Sequence, residues 1–269
     1  MRRAAEAAWY PRRMSRFLAC LLLALSLAGC ATVNANRETL AQTEHPTAEQ
    51  LDPWEPFNRK MHAVNSVLDK AILKPVAKTY VKVTPQPVRK GVTNFFTNLQ
   101  MPVTTINLAL QGKPKAAAVS LGRFALNLTL GLGGILDPAT HADIPREDQD
   151  FGQTFAVWGW DTSRFIVLPV FGPGTVRDTV GKGVGTTVSP VSWLAEEEGA
   201  HWSILYGIQA RAFGLVADNF MEGAEDEYLL MRDAYLQRRR CQIRDCTDEV
   251  PEYLLPDYDF EVPDFESMR

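Results

Sequence analysis

The chain has 269 residues, of which 46% are hydrophobic, 10% aromatic and 22% charged, with a net charge of −4. It is long enough for one large domain and close to the globular average, which excludes a disordered chain, a collagen-like chain and a polytopic membrane protein. With 32 acids against 28 bases there is no cationic surplus to neutralise phosphates, so nucleic acid is excluded as a partner.

The first thirty residues are an address. Arg2, Arg3, Arg12, Arg13 and Arg16 stand against one acid, Glu6, ahead of an uncharged, mostly apolar run from Phe17 to Leu27. That run is too short to span a bilayer core of about 30 Å and reads as the h-region of a signal peptide. Met14 is an alternative start, and nothing downstream depends on the choice. Leu27-Ala28-Gly29-Cys30 resembles the bacterial lipobox, which predicts removal of residues 1–29 and acylation of Cys30. An ordinary secretory signal that happens to hold a cysteine is the alternative. One acyl chain anchors only marginally, at about 0.8 kcal/mol per buried CH₂, so the several chains of a lipoprotein make attachment durable. Ala31, where an aspartate would favour inner-membrane retention, points to the outer membrane.

Residues 30–51 are polar and aperiodic, and we expect a flexible tether. Phe57, Met61, Val64, Leu68 and Ile72 then recur at spacings that place them on one helical stripe, opened by Asp52-Pro53-Trp54-Glu55. Val76, Tyr80 and Val83 form a short stripe before Pro85-Gln86-Pro87. Val92, Phe95, Phe96 and Leu99 start another helix, which is expected to kink or stop near Pro102 and to resume through Val103, Ile106 and Leu110. From Ala116 to Leu136 the only charge is Arg123. A spanning helix would have to hide that cation and tolerate Gly131, Gly133 and Gly134. We expect instead a helix over about 114–130, closed by the glycines and lying in or against lipid. A wholly buried core helix is the alternative.

Residues 151–176 are aromatic and apolar but broken by Gly159, Pro169, Gly172, Pro173 and Gly174, which predicts an apolar hairpin or re-entrant loop, or else a buried loop filling the core. Gly181-Lys182-Gly183-Val184-Gly185 lacks the order of a phosphate-binding loop and reads as a flexible loop. Two helices close the body, Tyr206–Phe220 and Glu225–Arg240; the second has acids at its start and Arg238, Arg239 and Arg240 at its end, as the macrodipole favours. Residues 241–269 hold nine acids and two bases and read as an unstructured tail. Cys241 and Cys246 are a candidate short disulfide, since an oxidising compartment permits one, and no nearby histidine supports zinc. The expected fold is mostly helical. No G-x-S-x-G, no H-E-x-x-H and no clustered histidine is present, so neither an enzyme nor a cofactor is expected.

Several blocks carry a resemblance. Asp52-Pro53-Trp54-Glu55-Pro56-Phe57-Asn58-Arg59-Lys60-Met61, Pro85-Gln86-Pro87-Val88-Arg89-Lys90-Gly91, Arg123-Phe124 with Asn127, and Gly131-Leu132-Gly133-Gly134 resemble the MlaA (VacJ) family of outer-membrane lipoproteins. So do Asp150-Phe151-Gly152-Gln153-Thr154, Trp158-Gly159, Leu168-Pro169 through Gly172-Pro173, Arg177-Asp178 and Gly181. The similarity spans residues 52–240. Trp160-Asp161-Thr162-Ser163 departs from the glycine-rich turn usual there. The resemblance implies a ring-like bundle of amphipathic helices in the inner leaflet of the outer membrane, facing the periplasm and commonly bound to a trimeric porin. Misplaced phospholipids would leave the outer leaflet through its amphipathic channel and pass to a soluble periplasmic carrier, which preserves lipid asymmetry without covalent chemistry. In that reading Phe151, Trp158, Trp160 and Phe165 are the candidate lipid path or gate. A scaffold that braces a porin without moving lipid, and a phospholipase, are the rivals.

Overall fold

The computed structural model describes residues 47–244, except Glu222 and the side chains of residues 195–198, 219 and 220. The expected signal peptide, Cys30, most of the tether and nearly all of the acidic tail lie outside these residues.

Order begins inside the expected tether. Thr47 caps the short helix α1 (Ala48–Leu51) by a reciprocal box: its hydroxyl accepts from the Gln50 N–H, and the Gln50 side chain accepts from the Thr47 N–H at 2.8 Å. Leu51 then joins the apolar cluster of Phe165, Val167, Tyr228 and Leu236. Helix α2 (Glu55–Leu68), a π-helical stretch (Asp69–Leu73) and α3 (Lys74–Val83) follow. Arg211 clamps the stretch from outside, donating to both Asp69 oxygens at 2.6 and 2.8 Å. Helix α4 (Gln86–Leu110) is continuous over 25 residues with Pro102 inside it, so of the expected kink or stop the chain does not stop there. Helix α5 (Pro114–Thr129) ends one residue from its expected boundary.

The short helices α6 (Pro138–His141) and α7 (Phe151–Val157) lead to a hairpin of β1 (Phe165–Leu168) and β2 (Gly172–Thr175), paired antiparallel with Phe165 opposite Thr175. The segment 151–176 is therefore one helix plus a hairpin. Helix α8 (Val176–Val188) takes in the whole glycine run that the sequence assigned to a flexible loop. Helices α9 (Pro190–Glu198) and α10 (His201–Met221) complete the body with α11 (Glu227–Arg244), which absorbs the first four residues of the expected tail.

Two asparagines seven residues apart on α2 hold the hairpin. Asn58 accepts from the Val167 N–H at 2.9 Å and donates to the Phe165 carbonyl at 3.3 Å. Asn65 accepts from the Val170 N–H at 2.8 Å and donates to the Leu168 carbonyl at 2.9 Å. Each amide thus pairs with backbone as a neighbouring strand would, and satisfies the free edge of β1. Of the expected stripe, Phe57, Val64, Leu68 and Ile72 are left on the outside, exposed, Met61 packs against the cluster of Phe165 and Tyr228, and Asn58 is the buried residue of α2. The helix is amphipathic with its apolar face outward.

Candidate functional site

The same inversion governs α5. Its inward face is Ala117, Ser120, Arg123 and Asn127, whereas Val119, Leu121 and Leu128 face out. Arg123, the one charge of this apolar stretch, points into the protein. It reaches Asp137 at 2.6 Å and donates to the Thr140 hydroxyl and the Ile144 carbonyl, while Asn127 donates to the other Asp137 oxygen at 2.8 Å. Burial raises the Asp137 pKa, but the hydrogen bonds from Thr140 and Asn127 and the Arg123 charge outweigh it and hold the carboxyl below its ordinary value.

Beyond α5 the chain turns on Gly133 and Gly134, both at positive φ; a Cβ on Gly134 would lie 2.7 Å from the Asn98 side chain. The turn pushes Leu130 and Leu132 outward, Leu132 to 69% exposure, and Ile135 and Leu136 continue the surface. A wholly buried helix is thereby excluded. At the hairpin tip Val170, at φ +70°, and Phe171 are three-quarters exposed. Holding a β-branched residue in the left-handed region is strained, and the Asn65 bond to its N–H offsets part of that cost.

Contiguous apolar surface of this kind marks contact with lipid or another protein. Among the described residues no helix is long and apolar enough to cross a membrane. Leu130→Asn, at a residue as exposed as Leu132 and with ordinary right-handed backbone, is expected to weaken binding to phospholipid vesicles by about tenfold, the transfer free energy of one exposed leucine, with the unfolding midpoint unchanged. Vesicle flotation checks the first effect and calorimetry the second.

The interior is correspondingly polar: among the described residues, buried polar and charged side chains outnumber buried apolar ones. Its hub is Asp178, 2% exposed. Arg239 donates to its two oxygens at 3.1 and 2.8 Å, Tyr235 donates at 2.7 Å, and Arg177 at 3.1 Å. Arg239 also grips Asp150, the N-cap of α7, bidentately at 2.8 and 2.9 Å. Helices α7, α8 and α11 are locked through one guanidinium. Burial raises the Asp178 pKa, yet the Arg239 hydrogen bond, the Arg239 and Arg177 charges and the Tyr235 hydroxyl bring it down to about 2. Burial beside that carboxylate pushes the Tyr235 phenol up.

Backbone closeness makes the hub possible. A Cβ on Gly181 would lie 2.4 Å from the Gly152 nitrogen, and one on Gly152 would lie 2.5 Å from an Asp178 oxygen. A second hub joins α2 to α11: Tyr228 and Asn58 donate to the two Asp52 oxygens at 2.5 and 2.7 Å, with Arg232 at 3.5 Å. Asp52 therefore serves as an inter-helix anchor and makes no cap for α2. A third has the Thr154 hydroxyl donating to Asn107 at 2.6 Å and accepting from Gln111 at 3.1 Å.

The four aromatics expected at a gate are placed in two environments. Phe165 is 0% exposed and Phe151 is buried, so both fill the interior. Trp158 and Trp160 are 49% and 41% exposed and flank Phe155, whose ring centroid lies 6.1 and 6.4 Å from theirs. The Trp158 indole donates to the Leu110 carbonyl at 3.0 Å and ties this cluster to the end of α4. Composition alone did not single out Phe155. Of the candidate disulfide, Cys241 sits half-buried on α11 and Cys246 lies outside the described residues.

Residues 50–242 match the family described as MlaA lipoprotein. The chain belongs to the MlaA lipoprotein family. It is 32% identical over 254 residues to the intermembrane phospholipid transport system lipoprotein MlaA of Haemophilus influenzae, covering 90% of this chain and 98% of that one. It is 35% identical over 216 residues to the protein of the same description from Escherichia coli K12, covering 79% and 82%. A solved structure described as the structural basis for maintenance of bacterial outer membrane lipid asymmetry aligns at 35% identity with a TM-score of 0.64, covering 71% of this chain and 98% of the other. The MlaA match begins at α1 and ends within α11, so it includes all three polar hubs.

Proposed function

We propose that this chain is an outer-membrane lipoprotein that moves phospholipid between membranes and so maintains outer-membrane lipid asymmetry. The observation that carries the reading is the inverted packing: apolar faces of α2, α5 and the hairpin tip point outward around an interior of ion pairs and amides. Such a body is at home lying in one leaflet, anchored through Cys30. A path for lipid needs apolar wall for acyl chains beside polar groups for a headgroup, and this chain carries both in close register. The names of its relatives agree with that use.

Finer points belong to the same proposal. The protein works without covalent chemistry, beside a trimeric porin and in exchange with a soluble periplasmic carrier. Trp158 and Trp160, with Phe155, stand at the gate, while Phe151 and Phe165 support it from within. Interface-seeking indoles suit a lip where lipid enters.

The deciding measurement is the phospholipid content of the outer leaflet in cells lacking the protein, restored with wild type or Cys30→Ala. A rise on deletion that only the lipidated form reverses supports anchored lipid removal. An unchanged leaflet favours the porin-bracing scaffold, and fatty acid released by purified protein favours a phospholipase.

A further inference from the structure

Helix α3 meets α10 along an open groove of about 350 Å³, lined by Pro75, Val76, Thr79, Tyr80, Val83 and Ile208. Val76 and Val83 are 41% and 69% exposed, so the groove is apolar and accessible from outside. Its size and lining suit a stretch of acyl chain. From the end of α3 the chain passes through Thr84 and Pro85 directly into α4, whose first turn carries Arg89.

Polar groups at that end lack partners. Among the described residues, Arg89 Nε and Nη1 and the Tyr80 hydroxyl are shielded from solvent and make no hydrogen bond. Burial raises the Tyr80 pKa and the Arg89 charge pulls it back, which puts the guanidinium near the phenol. Arg89 as a whole is only half-buried, so a ligand reaches the guanidinium from the surface side. A shielded guanidinium without an acceptor costs free energy that a bound anion returns. The surrounding chain supplies no such anion: residues 70–90 hold six bases and no acid, with Lys78 and Lys82 exposed one turn apart on α3. The one acid of α10, Asp218, is held by Lys74 and Arg211 at 3.0 and 2.9 Å.

We propose that this groove holds one phospholipid of net negative headgroup from the surrounding leaflet, its phosphate against Arg89 and the Tyr80 hydroxyl and an acyl chain along Val76, Val83 and Ile208. A zwitterionic headgroup would bring an ammonium among Lys78, Lys82, Arg89 and Lys90 with no carboxylate to receive it, and that mismatch sets the preference. The site rests on the reading of the body as lying in one leaflet, but not on movement of lipid through its interior.

The test reconstitutes the full mature chain in bilayers of phosphatidylcholine with phosphatidylglycerol as the minor component, extracts it in mild detergent and reads the retained lipid by native mass spectrometry. Wild type is expected to keep phosphatidylglycerol about fivefold above its share of the bilayer, the preference of one basic side chain for an anionic lipid. Arg89→Gln should abolish the enrichment, and Lys115→Gln, which removes an exposed charge at the start of α5, should leave it unchanged. Val83→Asn alters only an exposed side chain of the groove, so it tests the site even where Arg89→Gln disturbs folding. It should lower retained phosphatidylglycerol about threefold, roughly half the transfer free energy of a buried valine. Retention of both lipids in the bilayer ratio, or of neither, would overturn the site, and the first of these leaves the leaflet reading intact. Equal losses in Arg89→Gln and Lys115→Gln would reduce the site to diffuse surface charge and overturn it. Phosphate adducts in place of lipid, when inorganic phosphate is present, would assign the groove to the free ion and overturn it as well. A chain that does not enter the bilayer at all would overturn the leaflet reading and the site with it.

Discussion

Asp178→Ala is expected to lower the free energy of unfolding by about 3–5 kcal/mol, the range for removing one partner of a buried ion pair. The substitution leaves the Tyr235 hydroxyl without its acceptor, takes from Arg239 and Arg177 the carboxylate they share at a site that is 2% exposed, and loosens α8 from α7 and α11 together, although Arg239 keeps Asp150 and Arg177 keeps two backbone carbonyls. The effect has a pH signature. Asp178 titrates near 2 in the folded protein, below the unfolded value of about 3.9, so its contribution is complete above about pH 4 and is lost as the pH falls toward 2. The difference between wild type and Asp178→Ala in urea titrations should therefore shrink by about 2 kcal/mol between pH 5 and pH 2. A difference that stays constant over that interval would mean the carboxylate is not held by the arginines as described.

Gly181→Ala is the second large effect, because the added methyl would meet backbone and not a movable side chain. Its Cβ would stand 2.4 Å from the Gly152 nitrogen and 2.9 Å from the Gly152 Cα. The two helices must separate, and separation pulls Asp150 and Asp178 off Arg239 at the same time. A loss of about 3 kcal/mol or more is expected, the upper end for overpacking. Gly183→Ala, two residues along the same helix, provides the control. Nothing lies within 4 Å of its added Cβ, so it should gain about 0.5–1 kcal/mol from helix propensity. Thermal unfolding of the pair separates a steric requirement from a flexible one: equal shifts would refute the close packing of α7 on α8.

These two positions also show where the sequence was legible. Helices were readable because period 3.6 is local, and the glycines after α5 were readable because a turn at positive φ is local too. Periodicity does not say which face meets the interior, however. The stripe from Phe57 to Ile72 fits a core and a lipid surface equally well, and only Asn58 and Asn65, seven apart on the other face, betray the inversion. The run from Gly181 to Gly185 reads as a loop because the cost of glycine in a helix is local, whereas its reason, contact with Gly152, lies elsewhere in the chain. The ion pairs and buried hydrogen bonds were hidden for the same cause: Arg239 is 61 residues from Asp178, and Tyr228 is 176 from Asp52. Their residue types were nonetheless in view, since Asp52, Asn58, Arg123, Asp150 and Asp178 all fall in the blocks that carry the family resemblance. Aromatic composition alone could not sort Phe165, a core residue, from Trp160, a surface one.

The inverted packing has a calorimetric consequence. Hydration of newly exposed apolar surface raises the heat capacity on unfolding, and hydration of polar surface lowers it. A protein that already shows Leu130, Leu132, Val170 and Phe171 to its surroundings while hiding arginines and amides has less of the first to gain and more of the second. Its heat-capacity increment in a mild detergent should fall below the usual 12–15 cal/mol/K per residue, roughly. The stability curve would then be broad and shallow, with cold and heat denaturation far apart. Such a molecule would keep nearly the same grip on its fold across the temperatures at which the lipid around it stiffens and melts.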